Sequence, residues 1–222
     1  MSLELWTSVD RYVSDTLVPP DEILEHALAA NAAADLPAID VSPAQGRLLE
    51  IIAKIHGARR ILEVGTLGGY STIWLARALP AGGKVVTLEL EPKYAEVAAN
   101  NLAHAGLANK IDLRIGPAID SLDRLIAEDT EPFDLTFIDA DKQSNRDYFE
   151  RACTLSRPGS VIIVDNVVRD GKLVDPAADD AGTMGSRALH ELLTADPSVT
   201  ATTIQTVGAK GYDGFTIAVI NS

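Results

Sequence analysis

The chain has 222 residues, with 19 Lys and Arg against 32 Asp and Glu, a formal net charge of −13. That length suits one domain burying about 70% of its unfolded surface, and a hydrophobic fraction of 46% beside 23% charged residues excludes intrinsic disorder. The acidic balance argues against a broad nucleic-acid or anionic-membrane face, which needs basic residues to displace counterions, so neither partner is expected. A single cysteine, Cys153, excludes an intrachain disulfide framework and a cysteine-built zinc site. The opening residues lack a basic stretch followed by an apolar one, and no window approaches the ~18 apolar residues of a membrane span. The expected address is cytoplasmic.

In chain order, residues 3–56 read as helices. Leu5, Val9, Tyr12 or Val13 and Leu17 recur at helical spacing, Pro19 and Pro20 interrupt, Ile23, Leu24, Ala27 and Leu28 resume, and Ser42-Pro43-Ala44-Gln45 opens a third segment with a capping signature. Short apolar runs then alternate with amphipathic stretches: strands are expected at 60–64, 85–89, 111–115, 135–139 and 161–165, with helices near 71–79, 92–105, 118–128 and 144–156. Near-continuous apolar strands separated by helices predict a parallel sheet covered on both faces. Residues 167–185, with little periodicity, read as a mobile surface loop and a lid candidate. A helix near 186–195 and two strands, 199–207 and 214–220, complete the pattern as an antiparallel edge pair.

Three groups of residues could carry chemistry. The stretch Glu63-Val64-Gly65-Thr66-Leu67-Gly68-Gly69-Tyr70-Ser71 sits where the first strand turns into a helix. Glycines there let backbone pass close to a ligand, at the switch point where a doubly wound sheet binds nucleotide-like cofactors. The spacing is not G-x-G-x-x-G, the loop has no lysine, and Glu63 is acidic, which fits a cationic amino-acid tail better than a pyrophosphate. Read alone, the same stretch is also a plain glycine turn with Ser71 at a helix start. Glu89 ends the second strand, where a carboxylate can accept both hydroxyls of a ribose, in a nicotinamide cofactor as well as in any other adenosine-bearing one. Asp139-Ala140-Asp141-Lys142 and Asp165-Asn166 end two strands expected to be neighbours, so Asp139, Asp165 and Asn166 offer hard oxygen donors of the kind magnesium and calcium prefer. Lys142 beside such a site could serve as a general base. His26, His56, His104, His190 and Cys153 read as surface or packing residues.

Taken together, Glu63-x-Gly65-Thr66-x-Gly68-Gly69-Tyr70-Ser71, Glu89, Gly116-Pro117-Ala118, Asp139-Ala140-Asp141-Lys142 and Asp165-Asn166 resemble the cation-dependent class of S-adenosylmethionine O-methyltransferases, which includes catechol and caffeoyl-CoA methyltransferases. The likeness covers residues 41–220 and is closest to the bacterial members. It implies an α/β Rossmann-like fold with a seven-stranded, mostly parallel sheet, forming one methyltransferase domain over 1–222: a helical cap at 1–56 and a core at 57–222. It also implies that Glu63, Gly65, Thr66 and Ser71 meet the methionine end of the cofactor, Glu89 its ribose and Ala118 its adenine. Val41 would touch the cofactor through its backbone. Asp139, Asp165 and Asn166 match the metal ligands, with Asp139 also counted beside the cofactor, and Lys142 matches the catalytic base with Asp139 as its companion. The implied metal is Mg²⁺, with Mn²⁺ or Ca²⁺ as alternatives, and the implied assembly is a homodimer.

The expected reaction is methyl transfer from S-adenosylmethionine to one hydroxyl of a catechol-like small molecule. Plant caffeoyl-CoA enzymes carry an aromatic residue three positions after the metal-binding Asn, where this chain has Arg169, which speaks against a bulky thioester acceptor. Some bacterial members methylate a hydroxylated base in transfer RNA, a second reading by the same fold. A nicotinamide-dependent oxidoreductase and a non-enzymatic adenosine-ligand sensor are the readings from other classes.

Overall fold

The computed structural model describes residues 2–221; Met1 and Ser222, the ends of the expected domain, lie outside the described residues. Three helices come first: α1 (Leu3–Leu17), α2 (Glu22–Ala33) and α3 (Pro43–His56). Asp21 starts α2 by accepting the Ile23 and Leu24 amides at 3.1 Å each. Ser42 Oγ accepts the Gln45 amide at 3.2 Å to start α3, Pro43 stands in the first turn where a missing N–H costs little, and Gly57, at φ 72°, ends the helix left-handed.

Strands and helices then alternate: β1 (Arg60–Val64), α4 (Tyr70–Ala78), β2 (Lys84–Glu89), α5 (Pro92–His104), β3 (Ile111–Ile115), α6 (Ala118–Ala127), β4 (Phe133–Ile138), α7 (Asn145–Thr154), β5 (Ser156–Val164) and α8 (Ala181–Ala195). A hairpin of β6 (Val199–Gly208) and β7 (Gly211–Ile220) follows. The seven strands form one sheet in the order β3-β2-β1-β4-β5-β7-β6. β1 with β2, β2 with β3 and β4 with β5 run parallel, whereas β7 is antiparallel to both β5 and β6. This is the mostly parallel α/β sheet with an antiparallel edge that the apolar runs predict. No helix among the described residues is long and apolar enough to cross a membrane.

The chain divides into two compact units, one from Asp10 to Ser121 and the other from Leu122 onward together with the first residues through Val9. In the first, Ile61, Leu62, Val64, Val85 and Leu88 are buried with Ile73, Trp74 and Leu75 of α4 and Ala95, Ala98 and Leu102 of α5. In the second, every residue of β4 is buried, with Phe149 and Ala152 of α7 and Leu189 of α8. Each large apolar side chain so enclosed contributes roughly 1.5–3 kcal/mol.

Several boundaries differ from expectation, two of them by five residues. β5 begins at Ser156 and not near 161, because the Ser160 hydroxyl donates to the Phe133 carbonyl at 2.7 Å and accepts the Arg157 amide at 3.0 Å, carrying the pairing past Pro158 and Gly159. α8 begins at Ala181, ahead of residue 186, because Asp180 caps it: its carboxylate accepts the Thr183 amide at 3.1 Å and the Thr183 hydroxyl at 2.8 Å.

Candidate active site

The turn from β1 into α4 requires backbone that side chains resist: Gly65, Leu67 and Gly69 have φ of 99°, 49° and 84°. The Gly65 amide donates to the Leu88 carbonyl at 3.0 Å, which fixes the turn to the end of β2. Beneath it lies Glu63, wholly buried. Its Oε1 accepts the Ser71 hydroxyl at 2.7 Å, and its Oε2 accepts Thr72 Oγ1 at 2.5 Å and Thr87 Oγ1 at 2.6 Å. Thr87 has one hydroxyl proton and gives it to Glu63, so in the 2.6 Å contact between Thr66 Oγ1 and Thr87 Oγ1 the Thr66 hydroxyl is the donor. Thr72 and Thr87 do not stand out in the sequence. Thr87 is findable only from strand register, since it pairs directly with Glu63 across β1 and β2.

Glu89 is 7% exposed and does more than end a strand. Its Oε2 accepts the Thr66 amide at 3.2 Å and the Leu67 amide at 2.7 Å, and its Oε1 accepts the Glu91 amide at 2.9 Å. The Glu89 carbonyl in turn accepts the Gly116 amide at 2.8 Å, two residues before Ala118 opens α6. Gly116, at φ 132°, faces open space where a Cβ would stand. Val41 is buried just before the Ser42 cap. The structure therefore brings Glu63, Gly65, Thr66, Ser71 and Glu89 together directly, while Ala118 joins through Gly116. The acceptor chemistry fits an adenosine ligand with a cationic tail: two carboxylates border the turn, Glu89 Oε1 accepts the Glu91 amide and has a second lone pair, and residues 65–71 hold no cation to match a pyrophosphate.

In the other unit, β4 and β5 are paired so that Ile138 stands opposite Val164, and the Asp165 amide donates to the Ile138 carbonyl at 2.9 Å. Asp139 and Asp165 consequently leave neighbouring strands at the same carboxyl edge. Asp165 is 5% exposed and its Oδ1 accepts the amide of Asn166, which is held left-handed at φ 54°. Lys142 Nζ donates to Asp139 Oδ1 at 2.5 Å, both side chains mostly enclosed. Among the described residues no group of three or more His, Cys, Asp and Glu is placed to hold a metal ion. A cation here would take two carboxylates and the Asn166 amide oxygen, a hard donor set suited to Mg²⁺, Mn²⁺ or Ca²⁺ with positions left for other oxygens.

Asp141, the remaining acid of the motif, has a structural task. The Ser144 hydroxyl donates to its Oδ2 at 2.6 Å and the Tyr148 hydroxyl to its Oδ1, bracing the short turn Lys142–Ser144 that carries the lysine. Burial pushes the Asp141 carboxyl up, but these two hydrogen bonds, with those from its own backbone amide and from Gln143, together outweigh it and hold the group below its ordinary value; burial and the Asp141 hydrogen bond and charge raise the Tyr148 phenol. α8 lies directly on this turn: a Cβ at Gly185 would come within 2.2 Å of the Lys142 carbonyl and 2.6 Å of Gln143 Cα.

Residues 167–185 are not the loose loop their composition predicts. Asp213 Oδ1 accepts the Val168 and Arg169 amides at 3.0 and 2.9 Å. The Arg187 guanidinium donates to the carbonyls of Leu173 at 3.1 Å, Ala178 at 2.8 Å, Lys172 at 3.0 Å and Asp175. Arg169 is left-handed at φ 58°, and its guanidinium lies 3.4–3.5 Å from where a Gly182 Cβ would stand.

Comparison with known proteins bears on what such a pair of sites does. A family model described as O-methyltransferase matches residues 14–219. A catechol O-methyltransferase of Niastella koreensis is 47% identical over 220 residues, covering 99% of this chain and all of the relative. Another, of Mycobacterium tuberculosis, is 49% identical over 212 residues, covering 96% and 94%. Among solved structures, the O-methyltransferase from Bacillus cereus in complex with S-adenosylhomocysteine superposes with a TM-score of 0.98 at 56% identity, covering 99% of this chain and 100% of that one. TomG from Streptomyces achromogenes, in complex with S-adenosylmethionine and involved in tomaymycin synthesis, gives 0.96 at 51% identity with full coverage of both chains.

Proposed function

This chain belongs to the O-methyltransferase family and is an S-adenosylmethionine-dependent enzyme, and from that premise we propose that it methylates one hydroxyl of a vicinal dihydroxy aromatic with the help of a divalent cation. Family membership removes the oxidoreductase and the non-enzymatic sensor readings. The observation that carries the proposal is the acidic edge: Asp139 and Asp165 on neighbouring parallel strands, with Asn166 next in line. Two carboxylates and an amide suit a hard cation that two adjacent acceptor oxygens can share, a geometry a catechol offers and a monophenol does not. A net charge of −13 and relatives that carry the name catechol O-methyltransferase favour a small acceptor over transfer RNA.

S-adenosylmethionine, when bound, supplies a methyl group on a positively charged sulfur, and a divalent cation, when bound, favours the ionised form of a phenol that alone loses its proton near pH 10. Glu63, Gly65, Thr66, Ser71 and Val41 hold the amino-acid end of the cofactor in this proposal, Glu89 its ribose and Ala118 its adenine. Asp139, Asp165 and Asn166 hold the cation. Lys142, kept in place by Asp139 and by the turn braced on Asp141, receives the acceptor proton. Orienting the reactants is the main contribution asked of the protein, since no nucleophilic side chain is needed. The proposal takes the chain as one methyltransferase domain that acts as a homodimer in the cytoplasm.

The test is chelation. EDTA is expected to abolish methylation of a catechol and Mg²⁺ to restore it, while an otherwise similar monophenol stays unmethylated. Undiminished turnover in EDTA would remove the cation from the proposal, and rapid methylation of the monophenol would remove the two-oxygen acceptor.

A further inference from the structure

The glycine turn is gripped by two buried amides that belong to none of the sequence motifs. Asn31 of α2 is 3% exposed and Asn101 of α5 is 2% exposed. Asn101 Nδ2 donates to the Gly68 carbonyl at 2.9 Å and to Asn31 Oδ1 at 3.1 Å, and Asn31 Nδ2 donates onward to Asp40 Oδ1 at 2.9 Å. The backbone carbonyl of Asn31 accepts the Leu36 amide at 3.0 Å, so one residue holds both the beginning and the end of the link between α2 and α3. The fit is close: a Cβ on Gly68 would stand 1.8 Å from Asn31 Oδ1, and one on Gly69 would be 3.4 Å from Ala98 Cβ of α5.

Burying two amides is costly unless each finds partners, and an apolar pair of similar size would fill the space without that constraint. What the amides add is direction. Their outer partners are the Gly68 carbonyl, two residues beyond Thr66, and the Asp40 carboxylate, adjoining Val41. We propose that Asn31 and Asn101 are positioning residues for S-adenosylmethionine, setting the register between the glycine turn and the α2–α3 link so that both are in place before the cofactor arrives. The inference rests on the reading that these two segments hold the cofactor. A site ordered in advance loses less freedom on binding, so the benefit falls on affinity for the cofactor and not on the chemical step.

Calorimetry with S-adenosylhomocysteine and steady-state rates on a catechol with Mg²⁺ test this. Asn101→Ala removes the bonds to Gly68 and Asn31 and the longer one to the Ala27 carbonyl at 3.5 Å, and leaves the Gly68 carbonyl without its donor, so the Kd for S-adenosylhomocysteine and the KM for S-adenosylmethionine should rise by about tenfold, equivalent to the ~1.4 kcal/mol expected of such a loss. At saturating cofactor, kcat and the acceptor KM should stay within about twofold of wild type. Asp40 is half-exposed and its replacement spares the core, so it decides the matter if Asn101→Ala does not fold: Asp40→Ala should weaken binding, whereas Asp40→Asn, which keeps an oxygen for Asn31, should restore it. Unchanged Kd in Asp40→Ala, or a fall in kcat with the cofactor KM unmoved, overturns the positioning role. A wild-type chain that does not bind S-adenosylhomocysteine overturns instead the assignment of these segments to the cofactor.

Discussion

Replacing Glu89 separates two jobs that one carboxylate performs. A residue that only receives a ribose would be silent in the ligand-free protein. Here, however, the carboxylate already accepts the Thr66, Leu67 and Glu91 amides at 3.2, 2.7 and 2.9 Å. Glu89→Ala leaves the Thr66 amide without an acceptor in a place where Thr66 itself is 2% exposed, a cost of about 1–3 kcal/mol. The Leu67 amide is only half-buried and can recover part of its loss from water, so the sum comes to about 2–4 kcal/mol, a large share of the roughly 5–15 kcal/mol that holds a domain folded. Glu89→Gln can turn its one remaining carbonyl oxygen toward Thr66 and Leu67 and forfeits mainly the Glu91 contact, about 1 kcal/mol. Urea unfolding of the ligand-free proteins should rank them wild type, Gln, Ala, and calorimetry should show S-adenosylhomocysteine bound at least about tenfold more weakly by the Ala variant. An Ala variant as stable as wild type without ligand would refute the bracing argument, whatever happened to affinity.

Asp21 makes a prediction about acid. Arg77 donates to both of its oxygens, at 2.7 and 3.1 Å, and with the capped Leu24 and Ile23 amides outweighs burial, so the carboxyl is held below its ordinary value. A depressed value means stabilisation that is complete above the ordinary carboxylate range and lost as pH falls through the folded value. Asp21→Ala should cost about 1–2 kcal/mol near pH 7, mostly from the helix cap and less from the half-exposed ion pair, and the gap to wild type in urea midpoint should shrink below about pH 4; a gap constant with pH would contradict it. Arg187→Met should release the carbonyls of Lys172, Leu173, Asp175 and Ala178, speeding hydrogen exchange and proteolysis across 172–178 by about tenfold or more. Equal protection in both proteins would show that the guanidinium does not hold the segment.

Which features were legible follows from where their information resides. Four of the five parallel-type strands announce themselves as largely apolar runs and β3 as an apolar–charged alternation, and residues such as Glu63, Asp139 and Asp165 draw notice because a charged side chain at the end of an apolar run needs a reason. Their partners are another matter. Thr72 and Thr87 matter only through their distance to Glu63, which depends on helix phase and strand register. Asn31 and Asn101 fall on the buried stripes of their helices, beside Leu24 and Ala27 or Ala98 and Leu102, but the helices are far apart in sequence and what each amide meets depends on how they pack. Residues 167–185 look loose because their anchors are carbonyl groups, which every residue has and which carry no sequence signature until Arg187 is brought among them. α8 is hidden at its start for a related reason, Asp180 reading as one acid among several until its oxygens meet Thr183.

The meeting of Gly185 with the turn at Lys142 bears on how finely this enzyme can be altered. Side chains packed against one another can shift by tenths of an ångström and absorb a change. Main chain laid on main chain has no such slack. The height of the lysine above the acidic edge is therefore gauged by a helix that contributes no functional group of its own, much as a workpiece is gauged by the stop it rests against. Any residue larger than glycine at position 185 resets that height, because the main chain of Lys142 and Gln143 would have to give way to it.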